Sequence, residues 1–402
     1  MNRLKAALLV SCFYSPSIAA SKNDRVERTR PQPTAAFKIG FFNPSSPWNT
    51  YWPQVFFAIE QVAHDLGFQF LHYDLGADDR MAGEIEIKRV LSSDVKLDAI
   101  MSSTTINGAK RILAHTQIRK IPVIFEGPLF PQEMRALGLD AKTIRPDYWL
   151  GTWHQNEIEN GYQLAKLLIA RARAKRAFAS DGKIQILAVG GTRSWFGSHM
   201  REAGLKKAVA EEKDAVILQI IPSDWTTEKS LLLSTKMLER FPEASVIWAT
   251  SDQTAVGAAQ ALKKAGKVLG KNAFTGGIDF SAKGLEMVKS GEFETTVGTP
   301  LSYYAKIAVY LYDYISKAYS PNRSPPNLVG EVYVATKDNL QEYSLANQVV
   351  AELDFKDFSM KYRPELLDYD FTWPKLLQTA CKKTSFKNES VRLFCAKSKN
   401  LR

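Results

Sequence analysis

The chain has 402 residues, of which 45% are hydrophobic and 24% charged, and it carries a net charge of +11. That length and apolar content suit two globular domains or one large one, and no run approaches the ~20 consecutive apolar residues that a transmembrane helix needs. Nucleic-acid binding is not expected, because the excess charge is concentrated at one end: residues 375–402 hold eight lysines and arginines against one acid, Glu389.

In chain order, the N-terminus reads as an export signal. Arg3 and Lys5 precede an apolar stretch from Ala6 to Tyr14, and Ser17-Ile18-Ala19-Ala20 offers small residues for cleavage,. Residues 1–20 are therefore expected to be removed, with the mature chain starting near Ala20 or Ser21 in the periplasm. Leu9-Val10-Ser11-Cys12 resembles a lipoprotein box, but the apolar stretch before Cys12 is very short, and cleavage without lipidation is preferred. Residues 21–35 are charged and contain prolines, as a flexible spacer does,.

From Phe37 the chain alternates apolar runs with amphipathic stretches. Strands are predicted at 37–42, 98–101, 121–125, 148–151, 183–189, 215–220, 245–248 and 273–276,. Val55, Ile59, Val62 and Leu66 have helical spacing and end at Gly67, a predicted C-cap. A second helix is predicted over 252–265, with Gly266 as its stop. Continuous apolar strands separated by helices imply an α/β fold with parallel sheets covered on both faces. We expect two Rossmann-like lobes joined by a three-segment hinge, with a ligand cleft between them. The expected domains are 36–152 plus 300–330, 153–299 plus 331–345, and an extension over 346–402 with a basic tail. Cys381 and Cys395 remain after export, and a disulfide between them would clamp that tail. The basic tail is expected to be a solvated cationic end, and the plain reading of the extension as a whole is packing across one lobe.

No HExxH, GxSxG, Walker loop or GxGxxG follows the strands, and the five histidines lack metal spacing,. The chain is therefore not expected to be an enzyme, and no cofactor or metal is implied. Ligands of open α/β sheets lie beyond the carboxyl ends of the strands. There the sequence places aromatic and polar residues: Trp48, Asn49, Tyr51 and Trp52 after the first strand, and Trp225 after the strand at 215–220. Rings of this kind grip the apolar faces of a sugar. Asn49, Arg201 and Asp279 would serve its hydroxyl edge.

These residues resemble a known family, the periplasmic sugar-binding proteins of the ribose/galactose type, over roughly residues 36 to 345. Asn49-Thr50-Tyr51-Trp52 is similar to the family's Asn-Pro-Phe-Phe, Arg201-Glu202-Ala203-Gly204-Leu205 to its Arg-x-x-Gly-Phe, and Ser223-Asp224-Trp225 to its Asp-Phe pair. Ala249 to Ala258 resembles Asn-Asp-x-x-Ala-x-Gly, with Ser251 where the family has Asn. Gly276 to Asp279 resembles Val-Gly-Phe-Asp, and Gly291 to Thr299 resembles the hinge strand, with Thr299 where Gln is usual. The resemblance implies a ligand site of Trp48, Asn49, Tyr51, Trp52, Arg201, Trp225, Ser251, Asp279 and Thr299. The chain departs from the family at Glu126, Gly127 and Pro128, where an Asp-Arg pair is common. The implied function is capture of a sugar or sugar-like ligand by lobe closure and its delivery, by a monomeric protein, to the permease of an ABC-type importer. The long extension resembles instead the periplasmic receptors that regulate a membrane sensor kinase, which is the alternative.

Overall fold

The computed structural model describes residues 36–43, 51–75, 82–138, 148–300, 302–319 and 328–399. The expected signal and spacer, and the candidate residues Trp48 and Asn49, lie outside these residues.

Strand and helix alternate from the start. The first series is β1 (Lys38–Asn43), α1 (Trp52–Leu66), β2 (Gln69–Asp74), α2 (Ala82–Leu91), β3 (Ala99–Ser103), α3 (Gly108–Arg119), β4 (Val123–Glu126), α4 (Pro131–Ala136) and β5 (Trp149–Gln155). The second is α5 (Glu157–Ala174), β6 (Ile184–Gly190), α6 (Phe196–Ala210), β7 (Ala215–Pro222), α7 (Thr227–Arg240), β8 (Val246–Ala249), α8 (Asp252–Lys264), β9 (Phe274–Ile278), α9 (Ala282–Ser290) and β10 (Thr296–Gly298). The chain then continues with α10 (Tyr303–Ile315), β11 (Val329–Gly330), β12 (Tyr333–Ala335), α11 (Leu340–Tyr343), α12 (Ala346–Glu352), α13 (Trp373–Cys381) and α14 (Glu389–Lys399).

The strands form two six-stranded sheets, ordered β11-β5-β4-β3-β1-β2 and β12-β10-β9-β8-β6-β7. All pairings are parallel except that of β12 with β10. Period-two alternation along each strand feeds a core on either face. Ile39 and Phe41 of β1 join a core with α1 and α10, while Phe42 joins another with α2 and α3. In the second sheet, Ile186 and Ala188 face α5, and Leu187 and Val189 face α7 and α8. The predicted stripe of α1 is buried, and Gly67 closes that helix at φ 74°, a left-handed conformation that favours glycine. The apolar runs do not announce β2: Gln69, His72 and Asp74 dilute its pattern, and it lies at the sheet edge.

The chain passes between the sheets after β5, after β10 and between β11 and β12. β5 runs to Gln155, so the first passage comes three residues beyond the 152 boundary read from sequence. Trp153 is buried beside Tyr304 in the first lobe, which is why the strand does not end earlier. The C-terminal extension adds a fourth passage. α11 rests on α9 of the second lobe, while α12 rests on α1 of the first. From there Val349, Phe355, Phe358, Phe371, Trp373 and Leu376 share the core of the first lobe. Asp313 of α10 anchors this segment, accepting hydrogen bonds from Ser359 Oγ at 2.5 Å, Met360 N at 2.7 Å and Tyr369 Oη at 3.0 Å. A disulfide joins Cys381 at the end of α13 to Cys395 in α14. Among the described residues, no helix is long and apolar enough to cross a membrane.

Candidate functional site

The carboxyl ends of both sheets face each other, and contacts across the gap show the lobes closed. Ile106 N, beyond β3, donates to the Ser194 carbonyl beyond β6 at 2.8 Å. Ala282 N at the start of α9 donates to Gln54 Oε1 of α1 at 3.1 Å. Phe130 and Phe196 bring their rings within 5.0 Å.

At the centre of the second lobe's wall lies Arg201 of α6, which is 4% exposed. Its Nε donates to Glu157 Oε2 at 2.6 Å, and its Nη1 donates to the Thr250 carbonyl at 2.7 Å and to Asp279 Oδ1 at 3.2 Å. Burial opposes the guanidinium charge, but attraction to Glu157 and Asp279 outweighs it and raises its pKa,. The guanidinium lies 5.4 and 6.0 Å from the Trp195 and Trp225 ring centres, and the two rings meet each other edge to face at 5.7 Å,. Trp225 Nε1 donates to Thr192 Oγ1 at 3.2 Å. Glycines make room for these rings: a Cβ at Gly191 would lie 2.3 Å from Trp225, and one at Gly197 2.1 Å from Trp195.

Asp279 follows β9 with φ 131°, and Trp225 follows β7 with φ 69°. Non-glycine residues held there carry strain on the order of 1–3 kcal/mol, a cost that concentrates at functional sites. Burial raises the Asp279 pKa and neighbouring Asp252 adds to the rise, while Arg201 opposes it. Asp252 is itself raised by burial against hydrogen bonds from Ser281, whose N donates at 2.9 Å and Oγ at 2.7 Å.

The first lobe contributes Tyr51, Trp52, Glu126, Gln155 and Tyr304. Tyr51 and Tyr304 are joined hydroxyl to hydroxyl, and Gln155 Nε2 donates to Tyr51 Oη at 3.4 Å. Trp52 packs on Phe41, Tyr51, Phe56 and Tyr304. Glu126 ends β4 and accepts from Ser103 Oγ at 2.9 Å, and burial pushes its carboxyl up to about 7. The next residue, Gly127, lies so close to Trp195 of the other lobe that a Cβ would come 2.3 Å from the indole nitrogen.

Of the residues expected from sequence, Arg201, Trp225 and Asp279 converge on one wall, and Tyr51 and Trp52 sit on the other. Ser251 and Thr299 are committed elsewhere. Ser251 Oγ caps α8, accepting from Thr254 N at 3.1 Å. Thr299 Oγ1 donates to the Glu331 carbonyl at 2.7 Å, while its N donates to Gln155 Oε1 at 3.1 Å, so it ties the three hinge passages together. Sequence reasoning missed Trp195, Glu157, Gln155 and Tyr304, and treated Glu126 only as a departure. Trp195 had the same signal as Trp225, an aromatic residue in a strand-to-helix loop.

A family model described as "Periplasmic binding protein domain" matches residues 39–318. The ribose import binding protein of Salmonella typhimurium is 29% identical over 124 residues, which cover 31% of this chain and 40% of that protein. The match thus spans less than half of that relative's length. A periplasmic sugar-binding protein from Pseudomonas fluorescens has a similar structure, with a TM-score of 0.74 at 21% identity over 85% of this chain and 99% of that one. So has a fructose-binding periplasmic domain of a hybrid two-component system, with a TM-score of 0.63 at 20% identity over 80% and 97%. With two facing α/β lobes and a polar, aromatic-walled cleft, the chain belongs to the periplasmic binding protein domain family, a family of binding proteins and not of enzymes.

Proposed function

We propose that the protein is exported to the periplasm, captures a sugar or sugar-like ligand by closing its lobes, and delivers it to an ABC-type importer. The observation that carries this reading is the Arg201 network, in which a buried guanidinium bonded to Glu157, Asp279 and Thr250 lies against a pair of tryptophan rings at the carboxyl ends of the strands. Fixed acceptors and donors pair with ligand hydroxyls, which would be costly to bury unpaired, and the rings meet the apolar faces of the pyranose or furanose. The names of the ribose import relative and the sugar-binding neighbours support the ligand class. The extension packed on the first lobe, together with the two-component neighbour, favours a second use of the same cleft: presenting the closed form to a sensor kinase.

Calorimetric titration with a panel of pentoses, hexoses and inositols tests the ligand class. A member should bind at micromolar or better affinity, and Asp279→Asn and Trp225→Ala should each cost about 2–5 kcal/mol. Unchanged affinity in both variants would overturn the cleft assignment. A pull-down with loaded protein should recover a permease; recovery of a sensor kinase would favour the second use.

A further inference from the structure

Asp279 and Phe280 hold two consecutive positive φ angles, 131° and 57°. Neither residue is glycine, so the turn is strained and lasts only where its surroundings impose it. Its amides are bound one after another. Asp279 N donates to the Val297 carbonyl at 3.0 Å, Phe280 N to Thr296 Oγ1 at 3.2 Å and Ser281 N to Asp252 Oδ2 at 2.9 Å. The two side chains have different partners. The Asp279 carboxylate meets Arg201 Nη1 at 3.2 Å, while the buried Phe280 ring lies against Tyr333 of β12 and Tyr343 of α11.

Tyr343 is the nearer of these two rings, meeting Phe280 edge to face at 4.8 Å against 6.5 Å for Tyr333. Tyr343 is itself held in place. Asn339 closes the turn before α11: its Oδ1 accepts from Thr336 N at 2.8 Å, and its Nδ2 donates to the Val334 carbonyl at 2.9 Å. Leu340 packs on the core that contains Met287 and Val288 of α9. The buried Trp373 of α13 lies 6.1 Å from the Tyr343 ring, and its N donates to Tyr333 Oη at 3.0 Å. Trp373 belongs to the core of the first lobe, whereas Phe280 follows β9 of the second, so the brace on this turn spans both lobes. A directed hydrogen bond weakens steeply once its geometry is lost. Without the Tyr343 ring, Phe280 loses its closest aromatic neighbour, and the strained backbone gains a path to relax.

We propose that Tyr343 is a positioning residue for the ligand site: by bracing Phe280, it holds the strained turn that sets the Asp279 carboxylate beside Arg201. The proposal rests on the reading that Asp279 binds the ligand, and it gives the extension a part in ligand affinity.

Two measurements on the full chain test it. Hydrogen exchange without ligand would follow peptides spanning 277–284 in the wild type, Tyr343→Phe and Tyr343→Ala. Tyr343→Ala should speed exchange there about tenfold while β6 and β8 stay protected. Tyr343→Phe keeps the ring and should match the wild type. Calorimetry would use D-ribose, D-allose and myo-inositol as probes. Tyr343→Ala should weaken the tightest of the three about tenfold, and should add little in an Asp279→Asn background. Unchanged exchange, or equal acceleration throughout both lobes, would overturn the proposal. So would a loss of affinity that persists undiminished beside Asp279→Asn. Wild-type affinity in Asp279→Asn would instead reject Asp279 as a ligand residue, and exchange would still decide whether Tyr343 holds the turn. Exchange decides alone if none of the three probes binds. If Tyr343→Ala does not fold, Tyr343→Leu takes its place in every arm.

Discussion

Gly127 has no space for a side chain once the lobes meet. Its φ is +91°, and the nearest atom to an added Cβ is Trp195 Nε1 of the other lobe at 2.3 Å. The backbone strain of an alanine there, about 1 kcal/mol, is felt open or closed, but the clash exists only in the closed arrangement. Gly127→Ala should therefore weaken ligand binding by about tenfold or more while costing the ligand-free protein little thermal stability, as titration and thermal unfolding of the same sample would measure. Glu126 makes a pH prediction. Its carboxyl is raised from 4.5 to about 7, chiefly by burial. The folded state therefore binds the extra proton, and this group's contribution to stability is complete below about pH 4.5 and is lost as pH rises to 7,. Relative to Glu126→Gln, the closed, ligand-saturated wild type should lose on the order of 2 kcal/mol across that window, and a flat difference in unfolding free energy against pH would refute the burial. At this scale the sequence showed Arg201, Trp225 and Asp279, because each stands just beyond a strand or on the helix that follows one. Glu126 was legible only as a departure, since its surroundings come from residues distant in sequence and, through closure, from the other lobe.

Among the elements, those with unbroken apolar runs were readable and those with mixed runs were not. β4, β6 and β8 are buried on both faces and spell it out in Ile, Val, Leu, Ala and aromatic residues,. β2 has an exposed-edge composition and did not. The basic tail from Lys375 was expected to form a solvated cationic end, yet α13 and α14 bury Leu376, Ala380, Val391 and Cys395 in the core of the first lobe, as packing of the extension across one lobe requires. α12 and α13 are short, seven and nine residues, so their pattern does not announce a partner, and α1, on which α12 rests, lies far back in the chain. Asp313 shows how tightly the extension is held: it is fully buried and accepts hydrogen bonds from three groups between Ser359 and Tyr369 at 3.0 Å or less. The disulfide closes a separation of 14 residues. By loop-entropy reasoning it should contribute about 2–3 kcal/mol. Denaturant unfolding of Cys381→Ser with Cys395→Ser should show that loss with unchanged sugar affinity; an equal stability would mean that the packing of α13 alone fixes the tail.

The whole molecule is two lobes, three hinge passages bound together through Gln155 and Thr299, and a fourth passage supplied by the extension. Tyr343 of α11 sets its ring 4.8 Å from Phe280, next to Asp279, and 6.1 Å from Trp373 of the tail. The extension is thus in packing contact with the residue next to Asp279, and opening the cleft must move this contact or bend around it. Two-lobed architecture and the location of the cleft were legible from alternating strands and helices alone. The fourth passage was not, because nothing in the local pattern of 340–346 says which lobe each residue joins. Ligand should drive the lobes from open to closed, and small-angle scattering of the purified protein, with and without a saturating amount of the ligand selected by calorimetry, reads that motion. With ligand, the radius of gyration should fall and the profile should match the closed structure. Superimposable profiles at saturation would contradict it.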